Sequence, residues 1–391
     1  MMIIRQLGEK IRQAAKTMPV VSITGPRQSG KTTLAQQVFP GYQYANLENP
    51  MTRDFARSNP VQFLKQGNNG RGLIIDEAQY IPELFSWIQV HVDNSQRNGE
   101  IILSGSQNFL LMEKITQSLA GRVAIFNLLP FSMEELRGTI YDNGNLYDYI
   151  FQGLYPRVYS QQTAPDIFYP SYIQSYVERD VRQVQVIGDL ALFEKFLGLC
   201  AGRVGQNFNQ TALANETGVS LPTINRWMSV LQTGFIAYLL QPYYRNFNKR
   251  LSKTPKLYFY DTGLACSLLR LRSSSELDLH FARGALFENF VINEILKTHL
   301  NRGLRPNLYF WAESSGYEID LIVDTGASIY PIEIKSADTI RPDFFKNMEQ
   351  FQKASQTAVE NCFLVYAGDQ RQDRAQAKVR PWQDLGALPF Y

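Results

Sequence analysis

The chain has 391 residues, a formal net charge of +3, 45% apolar and 19% charged residues. That length exceeds what one hydrophobic core usually spans, so two or three domains are expected, and the composition is that of a globular rather than a disordered protein. Near-neutral charge neither demands nor excludes a polyanionic partner, so any basic surface must be local. Cys200, Cys266 and Cys362 are isolated and odd in number, which argues against a disulfide framework or a thiolate zinc site. With charged first turns and no apolar run of spanning length, a soluble, cytoplasmic protein without a membrane segment is expected.

In chain order, a β-rich run at 20–23 feeds a Gly-rich turn and a helix at 31–38. Further apolar strands at 72–75 and 100–104 alternate with helical stretches, the pattern of a parallel sheet covered on both faces. An α/β nucleotide-binding core is therefore expected over 1–130. Beyond 128–131 the pattern turns to amphipathic helices at 132–137 and 170–186, read as a helical lid over 131–200. Helices at 210–216 and 221–231 flank a turn containing Gly218, with Ser220 as a cap and Pro222 in the first turn. This is a helix-turn-helix pattern, and 235–242 and 256–260 are its candidate wing strands, giving a winged-helix segment at 201–275. A helix at 284–298 and strands at 308–311, 318–323 and 329–334 then predict a small α/β module at 276–391.

Gly25, Pro26, Arg27, Gln28, Ser29, Gly30, Lys31 and Thr32 fit GxxxxGK[ST] between a strand and a helix, with Thr33 following. Glycines let backbone N–H groups surround phosphate oxygens, and the helix adds its positive N-terminal end. Lys31 is expected at the β- and γ-phosphates of ATP, and Thr32 at Mg²⁺. Asp76 and Glu77 end the second apolar strand, at the sheet edge where open α/β folds bind ligands. Asp76 is the expected Mg²⁺ partner, and Glu77 either polarises the attacking water or merely begins a helix. At the end of the third strand, Ser106 or Asn108 either senses the γ-phosphate or caps the next helix. Arg122 is either an arginine finger for a neighbouring subunit or a surface ion pair.

These motifs together resemble the prokaryotic AAA+-type P-loop ATPases that carry a C-terminal domain of unknown function. The likeness runs through 25–33 (GPRQSGKTT), 75–79 (IDEAQ), 103–106 (LSGS), 153–157 (GLYPR), 176–180 (YVERD), 246–250 (NFNKR), 256–264 (KLYFYDTGL) and 284–289 (GALFEN). It implies an ATPase with a winged-helix segment and a restriction-endonuclease-like C-terminus.

In that last module Glu288, Asp320, Glu333 and Lys335 look like the PD-(D/E)XK nuclease signature. The strand period puts Glu333 and Lys335 on one face. Carboxylates suit hard Mg²⁺, so Asp320 and Glu333 are the expected ligands, Glu288 completes the shell, and Lys335 orients or deprotonates the attacking water. The competing reading is a solvated strand in a module kept for binding or assembly.

Arg245, Lys249, Arg250, Lys253 and Lys256, interleaved with Tyr243, Tyr244 and Phe247, form a local basic cluster suited to DNA phosphates. In the second helix Thr223, Asn225 and Arg226 are candidates to face a groove, whereas Trp227 and Met228 belong to the core. Two functions follow. One is a homo-oligomeric ATPase acting on duplex or branched DNA, with a hexamer among the candidate orders. The other is a regulatory ATPase switch that controls protein assembly and has a silent C-terminal module.

Overall fold

A computed structural model describes residues 3–67, 70–105, 118–176, 189–243, 254–313 and 315–391. The chain forms two compact units. The first comprises Met1–Phe131, Thr233–Phe235 and Leu300–Gly303, and the second comprises Ser132–Gln232, Ile236–His299 and Leu304–Tyr391. Among the described residues no helix is long and apolar enough to cross a membrane.

The first unit is built on five parallel strands: β1 (Val20–Thr24), β2 (Gln43–Asn46), β3 (Leu73–Asp76), β4 (Ile101–Gly105) and β5 (Val123–Asn127), in the order β2-β3-β4-β1-β5. Every residue of β1, β3 and β4 is buried, which is why these strands read as continuous apolar runs. Alternation sends successive side chains to opposite faces. Leu73, Ile75, Ile101 and Leu103 pack with Phe63, Phe85 and Ile88, while Val21, Ile23, Ile74 and Ile102 pack with Leu7, Ile11, Leu34 and Val38. Helices therefore cover both faces. The registers Thr24↔Gly105, Asp76↔Ser104 and Asn46↔Asp76 bring the carboxyl ends of the strands to one edge.

The second unit holds an eight-stranded sheet of β6 (Ala237–Pro242), β7 (Lys256–Phe259), β8 (Leu308–Ala312), β9 (Glu318–Asp324), β10 (Ile329–Lys335), β11 (Phe363–Tyr366), β12 (Gln372–Asp373) and β13 (Lys378–Pro381). Its order is β12-β13-β11-β10-β9-β8-β6-β7. The helix pair Gln210–Thr217 and Leu221–Thr233 forms around Gly218, whose φ of 77° closes the first helix. Trp227 and Met228 are buried as expected, with Trp227 against Phe193 and Phe196.

The two candidate wing strands do form a hairpin, but they do not stand apart from the C-terminal module. β6 pairs with β7 on one side and runs parallel to β8 on the other, so the hairpin is the edge of the large sheet. Local patterning carries no information about pairing at such sequence separation. The helix expected at 170–186 is observed as Pro165–Ser175, and 177–188 lie outside the described residues.

Several of the shared motifs meet in one buried knot. Asp261 accepts hydrogen bonds from Leu154 N at 2.8 Å, Leu264 N at 3.1 Å and the Tyr169 hydroxyl at 2.7 Å. Gly153 is required beside it, because a Cβ there would lie 1.9 Å from the Tyr169 hydroxyl. Asn289 in turn clasps the Phe259 N–H and carbonyl at 3.0 and 2.8 Å, tying the helix Arg283–Asn301 to β7.

Candidate functional site

The phosphate loop leaves β1 where the backbone leaves no room for a side chain. Gly25 has φ +150°, and a Cβ on it would meet the Leu128 carbonyl oxygen at 2.1 Å. Gln28 (φ 61°) and Gly30 (φ 92°) take left-handed conformations that curl the chain before the helix Lys31–Val38. Lys31 is almost fully buried, and its ammonium donates to the Gly25 and Pro26 carbonyls at 3.1 and 2.7 Å. A cation is thus held inside the loop's own curve. Ser29 is buried, Arg27 is half-buried, and Gln28 and Thr33 are exposed.

Asp76 is the hub of the sheet edge. Its Oδ2 accepts from the Thr32 hydroxyl and the Tyr44 hydroxyl, both at 2.8 Å, and its Oδ1 accepts from Glu77 N at 3.2 Å and from the Ser104 hydroxyl. Although Tyr44 is an exposed residue, partial desolvation of its hydroxyl and then the hydrogen bond to Asp76 raise that hydroxyl above its ordinary pKa. Thr32 Oγ1 and the Asp76 carboxylate are hard oxygen donors on one edge beside the loop, and such a set suits Mg²⁺. Glu77 follows in a left-handed conformation (φ 54°) with its carboxylate accepting from the Gln79 amide. Its side chain is thereby aimed by a neighbour two residues on.

Sequence reasoning missed Tyr44 and the partner of Ser104. Ser104 was visible as a strand end, and the Asp76↔Ser104 register is what joins it to the site. Ser106 and Asn108 lie outside the described residues. Arg122 sits at the other end of the sheet, where its carbonyl accepts from Val20 N at the start of β1. There its guanidinium grips both oxygens of Asp93, at 2.5 and 2.9 Å, so the surface ion pair is the arrangement observed.

In the second unit, Asp320 and Glu333 meet at Lys335, whose ammonium is 3.7 Å from Asp320 Oδ2 and 2.7 Å from Glu333 Oε1. Asp320 Oδ2 also accepts Ile334 N at 2.7 Å, and Glu333 Oε1 accepts the Asn347 amide at 3.0 Å. Among the described residues the buried Glu333 Oε2 has no hydrogen-bond partner. Burial, then the charge of Asp320, pushes Glu333 up to about 8. The same two causes push Glu288 up to about 7.

Glu288 feels the charge of Asp320 but makes its own bonds elsewhere. It is engaged by the Tyr258 hydroxyl and, at 3.5 Å, by Lys256, which also pairs with Glu318. Among the described residues no three His, Cys, Asp or Glu groups are gathered at metal-binding spacing. Two hard carboxylates, one with a buried unpaired oxygen, still suit a Mg²⁺ that keeps most of its water.

Lys256, expected in the basic cluster, is therefore buried in the carboxylate cluster instead. Tyr243 is buried, whereas Tyr244, Arg245, Phe247, Lys249, Arg250 and Lys253 lie outside the described residues. Asn225 and Arg226 are exposed, and Thr223 is half-buried with its hydroxyl on Ser220.

Residues 17–137 match the AAA domain family, 143–275 match a domain of unknown function (DUF8612), and 283–385 match a domain of unknown function (DUF4143). The uncharacterized proteins Mb2031c of Mycobacterium bovis and Rv2008c of Mycobacterium tuberculosis are each 30% identical to this chain over 372 residues. The match covers 94% of this chain and 80% of theirs. The Walker-type ATPase PABY2304 of Pyrococcus abyssi aligns with a TM-score of 0.47 at 15% identity, over 68% of this chain and 95% of its own. The first unit is a P-loop domain of the AAA type.

Proposed function

We propose that this chain, which belongs to the same family as the uncharacterized mycobacterial proteins Mb2031c and Rv2008c, hydrolyses ATP with Mg²⁺ at the 25–32 loop and directs that turnover to DNA. The supporting observation is the 2.8 Å bond between Thr32 and Asp76, which joins the phosphate loop to an acidic strand end. Mg²⁺, held by Thr32 with Asp76 behind it, would supply charge neutralisation at the β- and γ-phosphates. Loop N–H groups and Lys31 bind the phosphates, with Lys31 exchanging loop carbonyls for phosphate oxygens. Glu77 orients the attacking water and takes its proton.

The DNA part of this reading draws on the helix pair, which leaves Asn225 and Arg226 exposed on its second helix. In the second unit, Asp320 and Glu333 would hold a divalent cation, and Lys335 would place water for phosphodiester cleavage. One observation favours a second reading, an ATP-driven assembly switch with a silent C-terminal module. Lys335 already bridges the two carboxylates, and Glu288 is committed to Tyr258 and Lys256.

One assay separates them: ATP turnover and strand cleavage with single-stranded, duplex and branched DNA, for wild type, Lys31→Ala and Lys335→Ala. DNA-stimulated turnover lost in Lys31→Ala is expected. Turnover indifferent to DNA, with no binding at low salt, removes the DNA reading, and cleavage undiminished in Lys335→Ala removes the nuclease assignment.

A further inference from the structure

Arg5 precedes the first helix, Leu7–Ala14, and is only 6% exposed, although no step of nucleotide chemistry asks for it. One guanidinium nitrogen donates to the Ser29 carbonyl at 2.7 Å and another to the Leu129 carbonyl at 2.7 Å. The guanidinium carbon stands 4.9 Å from the centre of the Phe131 ring. Ser29 belongs to the phosphate loop, whereas Leu129 and Phe131 belong to the stretch that follows β5 and ends the first unit. A second contact ties the same two stretches. Gly25 is pressed against the Leu128 carbonyl, and Leu128 N donates to the Thr24 carbonyl at 2.7 Å.

The geometry matters because the loop is not a relaxed conformation. Gln28 is a non-glycine residue at φ 61°, and such backbone persists only where its surroundings over-determine it. A planar guanidinium with donors fixed relative to one another transmits position, since displacing one accepting carbonyl strains the bond to the other. Its bonds are charge-assisted and shielded from water, so they are strong ones. We propose that Arg5 is a positioning residue of the phosphate loop, which makes nucleotide binding and the conformation of the 128–131 exit segment depend on each other. The inference rests on the reading of 25–32 as an ATP-phosphate site. By linkage the dependence runs both ways: occupancy of the loop stabilises the exit segment, and an ordered exit segment raises affinity.

The test uses the full chain, a fluorescent non-hydrolysable ATP analogue with Mg²⁺, and amide hydrogen exchange, for wild type, Arg5→Lys and Arg5→Met. In wild type the analogue should slow exchange across 128–131. Arg5→Met should bind it about tenfold to hundredfold more weakly, the effect of losing a charge-assisted hydrogen bond. It should also show no nucleotide-dependent protection at 128–131 even at saturation, while amides of β1 and β4 exchange as in wild type. Arg5→Lys should recover part of both, because an ammonium can reach one carbonyl but lacks the fork.

Arg5→Met with wild-type affinity and wild-type protection overturns the inference. If Arg5→Met does not fold, Arg5→Lys decides, and equality with wild type in both readouts overturns it. A wild-type chain that binds no nucleotide overturns the phosphate-site reading itself, and this inference falls with it.

Discussion

Replacing Gly25 by alanine probes the steric basis of the phosphate loop. The new Cβ would stand 2.1 Å from the Leu128 carbonyl oxygen, whereas real Cβ atoms keep at least 3.0 Å from their neighbours, so backbone must move by about 1 Å. Neither side has slack. Leu128 N is bonded to the Thr24 carbonyl at 2.7 Å, and Thr24 is paired across to both Gly105 and Asn127. Left-handed strain at a non-glycine residue costs about 1–3 kcal/mol, and forcing a packed region apart costs about as much again, so a loss of about 3 kcal/mol or more is expected. Gly121 supplies the control. It too has positive φ, at 77°, but among the described residues a Cβ there meets nothing within 4 Å, so Gly121→Ala should lose only about 1 kcal/mol. Urea unfolding of both variants, followed by nucleotide titration, reads the difference. Should Gly25→Ala unfold with Gly121→Ala and keep wild-type affinity, the collision argument is wrong.

Asp76→Asn keeps the shape of the hub but removes its charge, and ATP turnover should fall by about a hundredfold, as for loss of one preorganised electrostatic group. Tyr44→Phe removes one of the four donors to Asp76 among the described residues, so turnover should fall only about a few-fold, with the change seen as a higher Mg²⁺ requirement. Arg122→Ala should leave turnover unchanged, because its guanidinium is bound to Asp93 at the far sheet edge. A loss restored by mixing with Lys31→Ala chains would place it in a neighbour's site instead. For Glu333 the folded chain holds the proton up to about 8 against an ordinary 4.5. The folded state therefore binds more protons between those values, and stability falls as pH rises through that window, by at most about 1.4 kcal/mol per pH unit. Glu333→Gln should flatten this slope in urea unfolding of the second unit, and parallel curves from pH 5 to 8 would refute the assignment.

How much of this could be read from the residues depended on whether the chemistry was local. Residues 25–32 are contiguous and flanked by an apolar strand and a helix, and Asp76 ends an apolar run, so the loop, the parallel-sheet core and the place of Asp76 at the sheet edge were legible. Tyr44 was not, because Gln43–Asn46 is a short edge strand with two exposed residues and no apolar run to announce it. In the second unit, the spacing of Glu333 and Lys335 on β10 was readable from the strand period. Their junction with Asp320 required the antiparallel register of β9 and β10.

The placement of Lys256 is the sharpest departure, and it changes what the basic cluster can do. Lys256 is 5% exposed and paired with both Glu288 and Glu318, so burial, which lowers its pKa, is outweighed by the carboxylates around it. A lysine so committed is not free to neutralise DNA phosphates, and that leaves Arg245, Lys249, Arg250 and Lys253 as the cluster's possible contributors. Each phosphate contact adds about 0.9 to the steepness of log affinity against log salt, so these four set a ceiling of about 4 on their share. Lys256→Ala should leave the salt slope of DNA binding unchanged, while the second unit loses about 3 kcal/mol because the Glu288 carboxylate, unlike the more exposed Glu318, is left buried without its cation. The two readouts move oppositely under the alternative. A Lys256→Ala chain of wild-type stability whose salt slope is shallower by about one contact would return this lysine to the DNA surface. It would also mean that the β6–β7 hairpin acts as a wing despite its place in the large sheet.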